Sequence, residues 1–231
     1  MADDTYGLSR SVEDYLKAIY DLTLDGELAT TNQIAGQLGV KPASVTGMLK
    51  RLAVGDPPLL EYRKHQGAGL TEEGKRAALE IVRHHRLLEL FLHETLGYSW
   101  DEVHVEADSL EHVLSEEMEE RIARVLGDPM HDPHGEPIPN RELHIPVQST
   151  LRLNELRTGQ EAVIQYVEDN NPELLRYLEG IGLVPRACVE VLSYSSFDDN
   201  LELKVEDRVV VLGPRVTRHI FVELVQISRE E

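Results

Sequence analysis

Residues 30–53 read TTNQIAGQLGVKPASVTGMLKRLA and contain the signals of two short helices joined by a tight turn. A threonine at the start can cap a helix that runs to Leu38, and Gly39 can end it. Pro42 suits the first turn of a second helix that continues to Ala53. The apolar positions of this second helix recur with helical spacing, at Val45, Leu49 and Leu52. The stretch therefore predicts a helix-turn-helix.

The flanking residues extend this pattern on both sides. Residues 10–24 place apolar side chains with helical spacing and predict a preceding helix. Residues 59–62 and 68–71 predict two short strands, joined by the basic sequence RKHQG at residues 63–67. Helices followed by a basic hairpin are typical of a winged helix-turn-helix.

The exposed positions of the second helix and the hairpin suit DNA. The helix offers short hydroxyl side chains, and the neighbouring glycine lets its backbone approach a groove of the DNA. The basic residues can contact phosphate. A three-helix core with a solvated basic face is the structural alternative, and winged helices also serve as protein-docking modules. We predict these DNA contacts: Lys41, Ala43, Ser44, Thr46, Gly47, Lys50, Arg51, Arg63 and Lys64.

The remainder of the chain changes character twice. A long amphipathic helix is predicted for residues 71–96, a further helical block for 100–126, and a proline-rich linker or extended arm for 128–146. From residue 147 the sequence predicts short strands, the first at residues 156–159, and one short helix near 172–178, as in a small β-barrel. We predict a mainly α protein with a small β domain, divided at residues 1–73, 74–146 and 147–231.

The charge of the chain is unevenly distributed. A formal net charge of −19 argues against nucleic acid as a binding partner, because DNA repels acidic surfaces. Residues 41–66, however, carry five basic side chains and only two acidic ones. The single cysteine, Cys188, excludes an intramolecular disulfide and is expected to be a small buried hydrophobe. No apolar run approaches the roughly 18–20 residues of a membrane span, and no export signal is evident, so we expect a cytoplasmic protein.

Residues 104–112, HVEADSLEH, could place several metal ligands on one helical surface. If the segment is a continuous helix, His104, Asp108 and His112 recur every four residues with Glu111 beside them. A charged, solvated face is the alternative, although this one has no lysine or arginine to balance it. Oxygen and imidazole donors together suit first-row divalent metals.

Other candidate ligands are weaker when considered alone. His85 and Glu89 lie four residues apart on the long predicted helix, a spacing that more often gives a surface pair. Asp14, near the start of the first helix, most simply interacts with the helix dipole.

Several motifs resemble the diphtheria-toxin-repressor and manganese-transport-regulator family of metal-dependent bacterial repressors. They are VEDYLKAIY at residues 12–20, LTEEG at 70–74, HRLLE at 85–89, EADSLEH at 106–112 and DPHGEPIP at 132–139. The last is the most specific, because no periodicity explains it. The resemblance covers the full length and implies a winged helix-turn-helix, a helical dimerisation domain and a C-terminal SH3-like domain related to FeoA.

The resemblance also implies a homodimer that binds an inverted-repeat operator when loaded with metal. It assigns Asp14, Asp108, Glu111 and His112 to a primary site. It assigns His85, Glu89 and His104 to an ancillary site, completed by a residue of the third domain. Glu173 is the candidate for that residue, with Asp169 or Asn170 as alternatives.

Two departures from the family pattern bear on the metal. Iron-responsive members carry a methionine and a cysteine at the positions of Asp14 and Asp108, and hard carboxylate oxygens favour Mn(II). Short manganese regulators carry a glutamate at the position of Lys17, and a charged lysine cannot be a ligand. Manganese is therefore favoured and ferrous iron is possible.

The function so implied is a metal-dependent repressor of metal-homeostasis genes, and not an enzyme. Metal would clamp Asp14 to the helix bearing Asp108, Glu111 and His112, and so fix the two recognition helices at the spacing of the operator. Two other classes compete with this interpretation. A binuclear hydrolase would need an open coordination position, and an adaptor of a ferrous-transport system would act through the β-rich tail.

Overall fold

The helix-turn-helix is present in a computed structural model of the protein, which describes residues 8–168 and 171–225. Helices α2 (Thr31–Gln37) and α3 (Pro42–Ala53) form it, and α1 (Arg10–Leu22) packs against α2. Strands β1 (Leu60–Arg63) and β2 (Gly67–Leu70) pair antiparallel as the wing. The winged helix-turn-helix prediction is confirmed.

Local chemistry accounts for the start of each helix in this motif. Thr30 and Gln33 form a capping box, in which each side chain accepts a hydrogen bond from the other residue's backbone N–H. Pro42 occupies the first turn of α3. The shared core is formed by side chains that are fully or almost fully buried: Leu16, Ile19, Ile34, Val45 and Leu49.

The described residues divide by contact into two units. The first comprises residues 8–85, 109–122 and 139–144, and the second comprises 86–108, 123–138, 145–168 and 171–225. Helix α4 (Glu72–Leu96) contributes residues to both. The division at residues 73 and 146 remains a prediction.

The predicted helical block at residues 100–126 is interrupted. It consists of α5 (Val103–Leu110), a 3₁₀ turn (Glu111–Val113) and α6 (Glu116–Val125). Leu114 has an extended backbone, and Ser115 Oγ accepts the N–H of Met118 in the first turn of α6. The prediction of one continuous helical surface from His104 to His112 is therefore wrong, because α5 ends before Glu111.

The second unit contains a five-stranded antiparallel sheet and a helix, α7 (Pro172–Ile181). The strands are β3 (Glu161–Val167), β4 (Cys188–Tyr194), β5 (Leu201–Val205), β6 (Arg208–Leu212) and β7 (Ile220–Leu224), and their order in the sheet is β6-β5-β4-β3-β7. Its core is formed by apolar side chains from every strand, from α7 and from Trp100. Residues 156–159 were expected to form a strand, but they follow a 3₁₀ turn (Leu153–Glu155) and form none. Strand β7 was not predicted from the sequence. A short helix, α8 (Pro214–Thr217), lies between β6 and β7 in the chain.

The segment from Asp132 to Ile138 forms a largely buried loop of the second unit, where a linker or extended arm was expected. Asp132 Oδ1 accepts the backbone N–H groups of His134 and Glu136, at 2.8 and 2.9 Å. Gly135 has a φ of +87°, and a Cβ at this position would lie 2.1 Å from the carbonyl oxygen of Gln165 on β3. Internal hydrogen bonds fix the shape of the loop, and the backbone N–H of Val167 at the end of β3 donates to the carbonyl oxygen of His134 at 3.0 Å. The loop therefore lies directly against the sheet, with room only for glycine at position 135.

Two further features bear on the expectations from sequence. Cys188, at the first position of β4, is exposed and is not the buried hydrophobe that was predicted. Within the described ranges, no helix combines the length and the apolar character needed to cross a bilayer.

Candidate metal centre

Asp14, Glu111 and His112 come together in the first unit. One potential ligand atom from each lies within 4.8 Å of the other two. His112 Nε2 is 2.9 Å from Asp14 Oδ1 and 3.4 Å from Glu111 Oε1. Asp14 comes from α1, whereas Glu111 and His112 are adjacent residues of the 3₁₀ turn. The break in the helix thus allows two consecutive side chains to face the same residue of α1.

This geometry fits a divalent cation. Two ligands at right angles and about 2.1 Å from an ion lie about 3 Å apart, close to the distances between His112 Nε2 and the two carboxylate oxygens. Two carboxylates and one imidazole form a mixed oxygen and nitrogen donor set suited to Mn(II), Fe(II) or Zn(II). The three side chains can therefore hold such an ion.

Glu13, which the sequence did not single out, fixes the orientation of His112. Its Oε2 lies 2.6 Å from His112 Nδ1, on the side of the ring opposite the ligand group. A proton on Nδ1 shared with Glu13 leaves the lone pair on Nε2, the nitrogen that faces Asp14. Glu13 directly precedes Asp14, and adjacency to this predicted ligand was the only signal in the sequence.

Lys17 and His85 contact Glu111 from another direction. Lys17 Nζ is 2.7 Å from Glu111 Oε2, and His85 Nδ1 is 2.6 Å from the same oxygen. Burial alone would raise the pKa of Glu111. The hydrogen bond from His85 and the charge of Lys17 outweigh that effect, so its pKa lies below the ordinary value. Glu111 is therefore ionised at neutral pH, as a metal ligand must be.

The remaining predicted ligands lie in the second unit. Asp108 Oδ2 is 3.5 Å from His104 Nε2 on α5, and Glu89 Oε1 is 3.1 Å from His104 Nδ1. By contact, Asp108 belongs to the second unit and His85 to the first. The role of Asp108 beside Asp14, and that of His85 beside Glu89, remain predictions.

Glu173 lies in the first turn of α7 and is exposed. Its backbone N–H donates to the side chain of Asn171, which caps the helix. Asp169 and Asn170, the alternatives to Glu173, lie outside the described residues. The contribution of the third domain to a metal site remains a prediction.

A second group of donors, not recognised in the sequence, consists of Glu89, Asp132 and His134. All three are buried, with one potential ligand atom of each within 4.8 Å of the others. His134 Nε2 is 2.9 Å from the carbonyl oxygen of Trp100, an arrangement that leaves Nδ1 as the lone-pair nitrogen of the neutral ring. That nitrogen is 3.8 Å from Glu89 Oε2.

The electrostatics of this group also suit a cation. Burial and the carboxylates of Glu89 and Glu136 raise the pKa of Asp132 well above its ordinary value. Asp132 Oδ2 has no hydrogen-bond partner among the described residues, and it lies 3.7 Å from Nε of Arg86. The DPHG sequence at residues 132–135 was the available signal, but it served only as a family marker.

The predicted DNA contacts lie on α3, at its N-terminal flank and in the wing. Lys41, Ala43, Ser44, Gly47, Lys50, Arg51, Arg63 and Lys64 are exposed. Thr46 is half-buried, and its hydroxyl donates to the carbonyl oxygen of Pro42, one turn earlier. Thr46 can therefore reach a base only by exchanging that hydrogen bond.

Family models match three successive parts of the chain. Residues 7–68 match the N-terminal DNA-binding domain of iron-dependent repressors. Residues 71–140 match their metal-binding and dimerisation domain, and residues 151–224 match the FeoA domain.

Individual relatives cover most of the chain. The iron-dependent repressor of Mycobacterium tuberculosis (strain ATCC 25618 / H37Rv) is 34% identical over 193 residues, which span 78% of this chain and 83% of that protein. The diphtheria toxin repressor of Corynebacterium jeikeium (strain K411) is 33% identical over 238 residues, 93% of this chain and 97% of that protein. A solved manganese-dependent transcriptional repressor in complex with manganese has a TM-score of 0.86 at 34% identity, covering 93% of this chain and all of that one.

Proposed function

Because the chain belongs to the diphtheria-toxin-repressor and manganese-transport-regulator family, we propose that its repressor activity is controlled by a divalent cation at Asp14, Glu111 and His112. The protein is a metal-dependent transcriptional repressor and not an enzyme. Its family domains are those of DNA binding, dimerisation and metal binding. The site is thus a sensor of metal concentration.

One observation carries this proposal. Asp14 belongs to the helix that packs on the helix-turn-helix, and its carboxylate lies 2.9 Å from His112 on the 3₁₀ turn. A bound cation would supply the positive charge that lets the carboxylates of Asp14 and Glu111 remain close together. His112 and Glu111 then hold α1 through Asp14, and this contact favours the conformation that binds DNA.

The preferred metal in this proposal is Mn(II), with Fe(II) as the alternative. Asp14 and Glu111 offer hard carboxylate oxygens, which suit Mn(II) better than they suit softer cations. We also propose that Asp108 completes the primary site. The manganese-bound relative and the iron-dependent relatives support a divalent metal and leave the preference between them to experiment.

We propose in addition an ancillary site that includes His85, Glu89 and His104, with Glu173 as the contribution of the third domain. The buried group around Glu89 extends this proposal to Asp132 and His134. Glu89 is common to both sets, since one of its oxygens faces His104 and the other faces His134. A cation held there would connect α4 to the loop that lies against β3.

DNA recognition in this proposal follows the exposed basic residues of α3 and the wing. The two winged domains of a homodimer would bind an inverted-repeat operator near metal-homeostasis genes, in the cytoplasm. Residues 1–73, 74–146 and 147–231 would form the DNA-binding, metal-binding and dimerisation, and SH3-like domains. Phosphate contacts would position the protein, with base contacts from Ala43, Ser44, Thr46 and Gly47.

Operator retardation with and without Mn(II), at fixed salt, tests the proposal. We expect retardation by the wild type only with metal, and a loss of at least about tenfold in affinity for Asp14→Ala and His112→Ala. Asp25→Ala, which removes an exposed carboxylate in the turn after α1, is the matched control and should behave like the wild type. Unchanged metal activation in Asp14→Ala would exclude this site as the regulatory one. Repeating the titration with Fe(II), Zn(II) and Co(II) tests the metal preference.

A further inference from the structure

A lysine, Lys17, lies beside the proposed metal site, next to a buried carboxylate whose negative charge needs compensation. Lys17 Nζ lies 2.7 Å from Glu111 Oε2 and 2.8 Å from His85 Nδ1. The third side of this triangle, between His85 Nδ1 and Glu111 Oε2, measures 2.6 Å. The side chains of His85 and Glu111 are 6% and 2% exposed, and that of Lys17 is 17% exposed. The ammonium group is thus at the edge of a buried pair.

The two oxygens of Glu111 face different partners. Oε2 contacts Lys17 and His85, whereas Oε1 is directed to His112, 3.4 Å away, in the group that includes Asp14. A buried carboxylate is costly unless a positive charge or several hydrogen bonds compensate it. Lys17 therefore compensates Glu111 on one side and leaves Oε1 available on the other.

The position of Lys17 on α1 makes this contact part of the same helix surface as the metal site. Lys17 follows Asp14 by three residues and Glu13 by four, so the three side chains lie near each other along α1. Glu13 contacts His112 from one side, and Lys17 contacts Glu111 from the other. Helix α1 thus supplies one proposed ligand, Asp14, and a side chain that contacts each of the other two: Glu13 contacts His112, and Lys17 contacts Glu111.

We propose that Lys17 acts as a tethered cation at Glu111 Oε2 and His85 Nδ1, in the place of a divalent ion that these two atoms would otherwise attract. It neutralises Glu111 in the metal-free protein and limits the group of Asp14, Glu111 and His112 to one metal ion. This inference rests on the proposed regulatory site. Lys17 is a positioning and affinity-setting residue and is not itself a ligand.

Two consequences follow from the charges. In Lys17→Met, the carboxylate of Glu111 loses its compensating charge, so the metal-free protein is less stable and divalent cations are attracted more strongly. We expect a lower unfolding temperature of the metal-stripped protein and an Mn(II) dissociation constant lower by about tenfold or more. In Lys17→Glu, a further carboxylate faces Glu111 and His85, and one more Mn(II) ion per chain should bind than in the wild type.

The experiment uses full-length, metal-stripped protein and three readouts. These are thermal unfolding without metal, calorimetric titration with Mn(II), and the count of bound ions by electron paramagnetic resonance of free Mn(II). Lys75→Met, which removes an exposed lysine of α4, is the charge-matched control and should match the wild type in all three. Lys17→Arg, which keeps the charge, should retain the metal-free stability of the wild type.

Each outcome bears on the proposal. If Lys17→Met does not fold without metal but folds with Mn(II), the inference is supported. If Lys17→Met matches Lys75→Met in both stability and Mn(II) affinity, while Asp14→Ala abolishes binding, the role of Lys17 is excluded and the regulatory site stands. If the wild type shows no Mn(II) binding that depends on Asp14, the proposed function and this inference are both overturned.

Discussion

Glu13 is not a proposed metal ligand, but it contacts His112, which is one. The contact of its carboxylate with His112 Nδ1 fixes both the ring orientation and the nitrogen that carries the lone pair. We expect Glu13→Gln to weaken Mn(II) binding by roughly 10- to 100-fold, the range typical of such outer partners. Calorimetric titration measures this change, and Glu27→Gln, at an exposed position, is the control. An unchanged Mn(II) affinity in Glu13→Gln would show that His112 does not depend on this contact.

The residue types allowed the proposed metal ligands to be predicted from the sequence, but not the side chains that contact those ligands. Carboxylates and imidazoles at positions 14, 111 and 112 matched a known ligand pattern, and the structure brings them together. Glu13 was not singled out, and Lys17 was noted only as a departure from the family pattern. Their contacts with His112 and Glu111 depend on which side of α1 meets the 3₁₀ turn. That packing is a long-range property, which local spacing does not encode.

At the scale of elements, the sequence indicated helices well but missed the break between them. The spacing of His104, Asp108 and His112 suggested one helix, since each residue type there is compatible with helix. The helix nevertheless ends at Leu110, where tertiary contacts of Glu111 and His112 decide the backbone. The DPHGEPIP loop was misread for a similar reason, because proline-rich sequence resembles a linker until its burial is known.

The close contact between Gly135 and β3 leads to a stability prediction. A methyl group at this position would meet the carbonyl oxygen of Gln165 at 2.1 Å, and backbone atoms cannot move aside cheaply. We expect Gly135→Ala to lower the free energy of unfolding by at least about 2 kcal/mol. Urea denaturation followed by circular dichroism measures it.

Gly159→Ala is the matched control for this substitution. Gly159 also has a positive φ, of +83°, but a Cβ there would meet nothing within 4 Å. Its alanine variant should therefore lose only about 1 kcal/mol, the cost of the left-handed backbone. Equal losses in the two variants would mean that the loop yields to the added methyl group.

For the whole molecule, a net charge of −19 coexists with a basic surface on α3 and the wing. Because phosphate contacts release counterions, operator affinity should fall steeply as salt rises. We expect Lys50→Ala to reduce the slope of log affinity against log salt by about 1 for each chain bound. Lys204→Ala, which removes an exposed lysine of β5, should leave the slope unchanged. Operator titrations at four or more salt concentrations measure the slopes, and equal slopes for both variants would place Lys50 away from phosphate.

The exposed position of Cys188 has a practical consequence. Each chain carries a single thiol, and that thiol is accessible at the start of β4. A spin label or a fluorophore can therefore be attached at one known point without any substitution. In a homodimer this gives one pair of labels, so that a single distance distribution reports on the two C-terminal domains as Mn(II) and operator are added.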